Sequence, residues 1–424
     1  MTAYKKIILP NGLRVVLVPK LESLATTVLV LVEAGSKYET KAINGLSHFL
    51  EHMCFKGTTK RPRSIDITNE LNNIGAEYNA FTGQELTGYF VKALSKDLDI
   101  ALDVVADIYV NSLFDEQEIE KEKGVVVEEI NMNEDRLPRK AQILFSELLY
   151  GNQPAGWEIA GTPTVVRSLK REDFLKYRGE HYVAQATTII VAGAFDEAEL
   201  LKKIEEKFKN MPAQEKQGKL KVIESQEKPA IKLKFKESDQ SHLVLGVRAY
   251  DLFDKRRFAL ELLADILGNG FGSRLFERLR EQMGVAYYVG ADADLSTDHG
   301  ALIASAGVDA KRLTEVIKAI LEECKRLRDE TVPADELTRI KNRISGNMVL
   351  GLETSNALAN YFGGQEILEK TIITPEELLQ KLQVVTAEEI QAVAKDVFKD
   401  SKLNLVVIGP HKDESVFQPI LHFN

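Results

Sequence analysis

Five consecutive residues, His48-Phe49-Leu50-Glu51-His52, could do chemistry together. On an α-helix, positions i and i+4 lie about 40° apart, so His48 and His52 project from one face. Two imidazole nitrogens can then bind one tetrahedral metal ion. Glu51 lies beside them and can act on a water that such a metal holds. A catalytic zinc needs a third protein ligand and an open position. Candidates occur in the tract Glu120-Lys121-Glu122-Lys123-Gly124-Val125-Val126-Val127-Glu128-Glu129. Glu122 and Glu129 are seven residues apart, about 20° short of two full turns, and so share a helix face. One could bind the metal while the other tunes it from behind. Glu128 lies about 100° around the helix from Glu129, so the two would not both coordinate. Residue spacing alone leaves the choice between them open.

The elements that must position these residues follow from periodicity and turn signals. Ile7 to Val18 reads as two strands about a Pro10-Asn11-Gly12 turn, and Val28 to Val32 as another strand. A helix is expected over Gly45 to Lys56, stopped by Gly57. A helix near Ile65 to Ile74 and strands near Ala76 to Phe81 and Thr87 to Val91 come next. Helical tracts run from Lys96 to about Tyr150, and Thr187 to Val191 is a strand. The stretch Met211 to Lys228, polar and without aromatics, reads as a linker. The pattern then restarts with Leu243 to Val247 as a strand and a helix from Arg257 to Leu267. Tyr287 to Val289, Ala301 to Ala304 and Leu403 to Val407 read as further strands.

A shift of 215 residues pairs Val32 with Val247 and Ala34 with Ala249. On that shift His48, Glu51 and His52 meet Leu263, Ile266 and Leu267, so the second half keeps a core pattern without the chemistry. The expectation is an α+β protein of two homologous domains, each a mostly antiparallel sheet packed with helices. Residues 1–211 form the catalytic domain, 212–229 the linker and 230–424 the metal-free copy.

The 424 residues are 44% hydrophobic and 28% charged, globular values at a length that favours two cores. A net charge of -9 disfavours nucleic acid and anionic membrane as partners. Two cysteines, Cys54 and Cys324, build neither a disulfide framework nor a Cys-rich zinc site. No signal-like or membrane-spanning apolar run is evident, so a soluble, cytoplasmic protein is expected. No serine has a Gly-x-Ser-x-Gly context, and the glycine-dense Gly268 to Arg274 lacks the Gly-Lys-Ser/Thr ending of a phosphate loop.

The order His-x-x-Glu-His is the inverted zincin, or inverzincin, pattern. With the glutamate 77 positions after His52, with Asn79-Ala80-Phe81-Thr82, and with Arg280-Glu281-Gln282-Met283-Gly284-Val285-Ala286-Tyr287, the chain resembles the pitrilysin and mitochondrial-processing-peptidase family over nearly its whole length. The resemblance implies a zinc metalloendopeptidase with one zinc per chain, held by His48, His52 and Glu129, with Glu122 as the supporting carboxylate. It implies Glu51 as general base, and Asn79, Ala80, Phe81 and Thr82 as an edge strand that binds extended, unfolded peptide. Arg280 would hold a peptide carbonyl or carboxylate, and Tyr287 would steady an oxyanion. It further implies a homodimer that degrades peptides inside a chamber between two halves. Two competing expectations are a catalytically silent subunit of the same fold and a maturation protease for one small peptide.

Overall fold

The computed structural model describes residues 3–423. Six strands form the first sheet: β1 Lys5–Ile8, β2 Arg14–Pro19, β3 Ala25–Val32, β4 Glu77–Thr82, β5 Thr87–Leu94 and β6 Thr187–Gly193. Their order is β1-β2-β6-β3-β5-β4, antiparallel except for the parallel β2–β6 pair. The second sheet contains β7 Ala230–Phe235, β8 Gln240–Arg248, β9 Ala286–Leu295, β10 Gly300–Asp309 and β11 Leu403–Gly409. Its order is β7-β11-β8-β10-β9, again with a single parallel pair, β7–β11.

The two sheets repeat one topology. The offset of 215 carries the starts of β2, β3, β5 and β6 to within two residues of those of β7, β8, β10 and β11. The helix expected over Gly45 to Lys56 is α1, Leu46–Cys54, and the helical tract beyond Lys96 includes α2, Glu116–Asp135, and α3, Leu137–Tyr150. The later helices that bear on the argument are α4, Arg257–Gly268, and α5, Ser355–Leu368. The counterparts of the metal-binding candidates, Leu263, Ile266 and Leu267 on α4, are fully buried.

Each sheet is covered on both faces, which is why its inner strands read as unbroken apolar runs. In the first sheet Val28, Val30, Ile189 and Val191 face one core with α1, while Leu29, Leu31, Ile190 and Ala192 face a second core with Phe362 of α5. In the second, Leu243, Leu245, Leu405 and Val407 face a core with α4, while Val244 and Val406 pack with Phe145 of α3.

Two compact units result, and they interleave along the chain. The first comprises residues up to Asn131, Glu158–Leu220 and Met348–Glu376. The second comprises Met132–Trp157, Lys221–Asn347 and the residues from Glu377 onward. Thus α3 belongs with the second sheet and α5 with the first. Glu366 of α5 is fully buried and is matched by Lys6 at 2.8 Å and Arg14 at 3.3 Å, which compensates a charge that would otherwise be costly to bury. Among the described residues no helix is long and apolar enough to cross a membrane.

Candidate metal centre

Helix α1 presents its chemistry on the side opposite its anchors. Leu46, Phe49, Leu50 and Met53, spaced i, i+3, i+4 and i+7, are fully buried, whereas His48, Glu51 and His52 are partly exposed. The preceding Gly45 has φ +103° and lies so near Ala160 that a Cβ would sit 2.6 Å from its carbonyl oxygen. Only glycine suits that conformation and that approach. The first-turn amides are taken up by the buried Glu39, which accepts from Gly45 N at 2.8 Å and Ser47 N at 2.6 Å.

Across from α1, α2 buries Ile119, Val126, Val127 and Ile130. This register leaves Glu128 exposed and turns Glu122 and Glu129 toward the histidines. Glu129 Oε2 lies 3.5 Å from His48 Nε2 and 3.5 Å from His52 Nε2. Zinc bonds of about 2.1 Å in a tetrahedron put neighbouring donors about 3.4 Å apart, so the observed edges match a zinc-sized polyhedron. Among the described residues, His48, His52 and Glu129 are the group of metal-binding side chains whose donor atoms all fall within 4.8 Å of one another. Two imidazoles and one carboxylate form the donor set of a hydrolytic zinc, and the three residues fit it. Glu51 is outside the group.

Glu122 Oε1 meets His52 Nδ1 at 3.0 Å, and its other oxygen pairs with Lys56 Nζ at 2.5 Å. It therefore fixes the tautomer that leaves His52 Nε2 free to bind metal. Replacing Glu122 with glutamine is expected to weaken zinc binding about 10- to 100-fold, read by competition with a chromogenic chelator.

The carboxylates call for a cation. Burial disfavours protonated His52, but hydrogen bonds to Glu122 and Glu129 outweigh it and push its pKa up to about 9. Hydrogen bonds from His48 and His52 hold Glu129 far below the usual carboxylate range, against the effect of burial. Since zinc needs the neutral ring, binding below pH 9 must displace a proton from His52. Apparent zinc affinity should then rise with pH, up to about tenfold per unit, and level off above that pKa. Titrations at several pH values check this, with proton release seen as a calorimetric dependence on the buffer.

Burial raises the pKa of Glu51, opposed by a hydrogen bond from Thr82 and by the nearby imidazoles. Thr82 Oγ1 donates to Glu51 Oε2. Thr82 ends β4, the edge strand of its sheet, which also carries Asn79, Ala80 and Phe81. Asn79 Oδ1 accepts from Ala80 N at 2.9 Å, and Phe81 packs against the core under α5.

Arg280 and Tyr287 lie in the second unit. Arg280, on the helical turn Phe276–Gln282, donates through Nη1 to the Tyr287 carbonyl. Tyr287 is 60% exposed, while Tyr288 points the other way, its hydroxyl 3.1 Å from His242 Nδ1. Cys54 is a buried thiol 3.6 Å from the Tyr89 hydroxyl, in keeping with a packing role.

The sequence reading missed Lys56, Glu39 and the bond from Thr82 to Glu51. Lys56 had a signal, since it follows His52 by four residues. Glu39 had none.

The chain is similar to known proteins over nearly all of its length. The family model for Insulinase (Peptidase family M16) matches residues 14–163, and that for the Peptidase M16 inactive domain matches 168–344. The uncharacterized zinc protease YmxG of Bacillus subtilis is 35% identical over 94% of this chain and 97% of its own. An uncharacterized zinc protease of Streptomyces coelicolor is 32% identical over 96% of this chain and 89% of its own. A protease from Helicobacter pylori shares the fold with a TM-score of 0.89 at 24% identity, over 96% of this chain and all of that one. With its His48–His52–Glu129 cluster in the first matched domain, the chain belongs to peptidase family M16, the pitrilysin and mitochondrial-processing-peptidase family, and is a zinc-protease-like member of it.

Proposed function

We propose that the protein is a zinc metalloendopeptidase that hydrolyses extended, unfolded peptides. The observation that carries this reading is the trio of donor atoms at zinc-sized spacing, with a hydrogen-bonded carboxylate beside it that is not one of the donors. Zinc held by His48, His52 and Glu129 would acidify a water and polarise the scissile carbonyl. Glu51 takes the proton of the attacking water and returns it to the leaving amine. The bond from Thr82 keeps its oxygen aimed.

The substrate adds as a strand along the free edge of β4, where main-chain hydrogen bonds bind it with little regard to side chains. Only a peptide whose backbone groups are unpaired can do so, so folded proteins are spared. Arg280 and Tyr287 have the chemistry to hold a carbonyl and an oxyanion, and a homodimer carrying both motifs on each chain belongs to the same reading. The test uses an unstructured cationic peptide and the same sequence within a disulfide-locked folded protein. Cleavage of the first at several bonds and sparing of the second is expected. Equal cleavage of both would exclude the strand-addition step, and a single cut in one peptide among many would point to a dedicated maturation protease.

A further inference from the structure

We propose that the segment Gly35–Glu39 braces the metal helix to the β4–β5 hairpin, making Thr82 a positioning residue for the Glu51 carboxylate and the Lys37–Glu85 pair its lock. This inference rests on the peptidase reading, in which Glu51 is the base.

One end of the segment holds the hairpin. Thr82 pairs with Thr87, and Gly83 N donates to Leu86 O at 2.8 Å, so residues 83–86 form the connecting loop. Ser36 N donates to Gly83 O at 3.2 Å and Lys37 N to Gln84 O at 2.9 Å. A Cβ on Gly35 would lie 2.4 Å from Gly83 O, so this approach of two backbones requires glycine at 35. Lys37 Nζ then reaches Glu85 Oε1 at 2.9 Å, with the lysine side chain wholly buried and that of Glu85 8% exposed. Lys219 Nζ meets the same oxygen at 3.0 Å.

The other end holds α1. Glu39 accepts from Gly45 N and Ser47 N. Tyr177 adds a strut, donating to Gly35 O at 3.1 Å while accepting from Ser47 Oγ at 2.8 Å. Five residues therefore set the register between the hairpin, which carries Thr82, and the helix, which carries Glu51. At that meeting point Thr82 Oγ1 donates to Glu51 Oε2.

A buried ion pair adds little net stability, because desolvation offsets its attraction. What it supplies here is geometric: it lets the hairpin loop sit in one place only. A carboxylate that must take a proton in one direction and return it in another needs a fixed oxygen, and the threonine hydroxyl fixes it.

The test uses the zinc-loaded full chain, an unstructured fluorogenic peptide, and Glu51→Gln as a control. Thr82→Val, nearly the same shape without the hydroxyl, should lower kcat about 10- to 30-fold with KM within about twofold. Zinc content and melting temperature should stay at wild-type values, and Thr82→Ser should restore kcat to within about threefold. Glu85→Gln should lower kcat less, leave KM unchanged, and speed hydrogen exchange at the amides of Ser36 and Lys37. Full kcat in Thr82→Val, or a Thr82→Ser variant as slow as it, overturns the proposal. So does a crystal structure of the zinc-loaded protein in which the Thr82 hydroxyl turns away from Glu51, whatever the activity. Full cleavage by Glu51→Gln would instead sink the peptidase reading itself.

Discussion

Changing Glu51 to glutamine is expected to reduce peptide hydrolysis by about 10³-fold or more while one zinc per chain is retained. The amide keeps the size of the side chain, can still accept a hydrogen bond from Thr82, and cannot carry a proton to the leaving amine. Glu51 lies outside the cluster of donor atoms, so its loss removes no metal ligand. Steady-state kinetics on an unstructured peptide, paired with metal analysis, separates the two effects. Loss of zinc together with activity would mean that Glu51 has been assigned the wrong role.

Replacing Glu129 with glutamine is expected to cost more zinc affinity than the ~100-fold upper bound for losing a supporting residue. Both imidazoles share the Glu129 oxygen at 3.5 Å, and its negative charge is what would balance the metal there. The adjacent Glu128→Gln should bind zinc as wild type does, because Glu128 is exposed and points elsewhere. This pair of variants decides the question that helix geometry leaves open at the level of sequence. Equal losses in both would show that α2 rotates when metal binds.

Much of the site is legible in the residues because it obeys local rules. His48 and His52 share a face by helical spacing, and Glu122 and Glu129 do so for the same reason. The choice between Glu128 and Glu129 depends on which face of α2 is buried, and Ile119, Val126 and Val127 decide that only once they meet a core. The repeated sheet is legible as well, since an offset of 215 preserves strand spacing. The exchange of α3 and α5 between the units is not. Each packs apolar side chains, Phe145 or Phe362 among them, into the core beneath one sheet, and helical periodicity names no partner. The brace at Gly35–Glu39 is hidden for a related reason. Nothing in their local sequence marks Glu39 and Lys37, and only the tertiary structure shows both at 3% exposure or less.

If His48, His52 and Glu129 hold a zinc with which the chain cuts peptides, cleavage must follow the metal. The measurement is cleavage of an unstructured peptide as chelated protein is titrated with zinc. No cleavage is expected without metal, and recovery should saturate at one zinc per chain. Undiminished cleavage by the zinc-free protein, or none from the fully loaded protein across varied unstructured peptides, would rule out zinc-dependent proteolysis at this site.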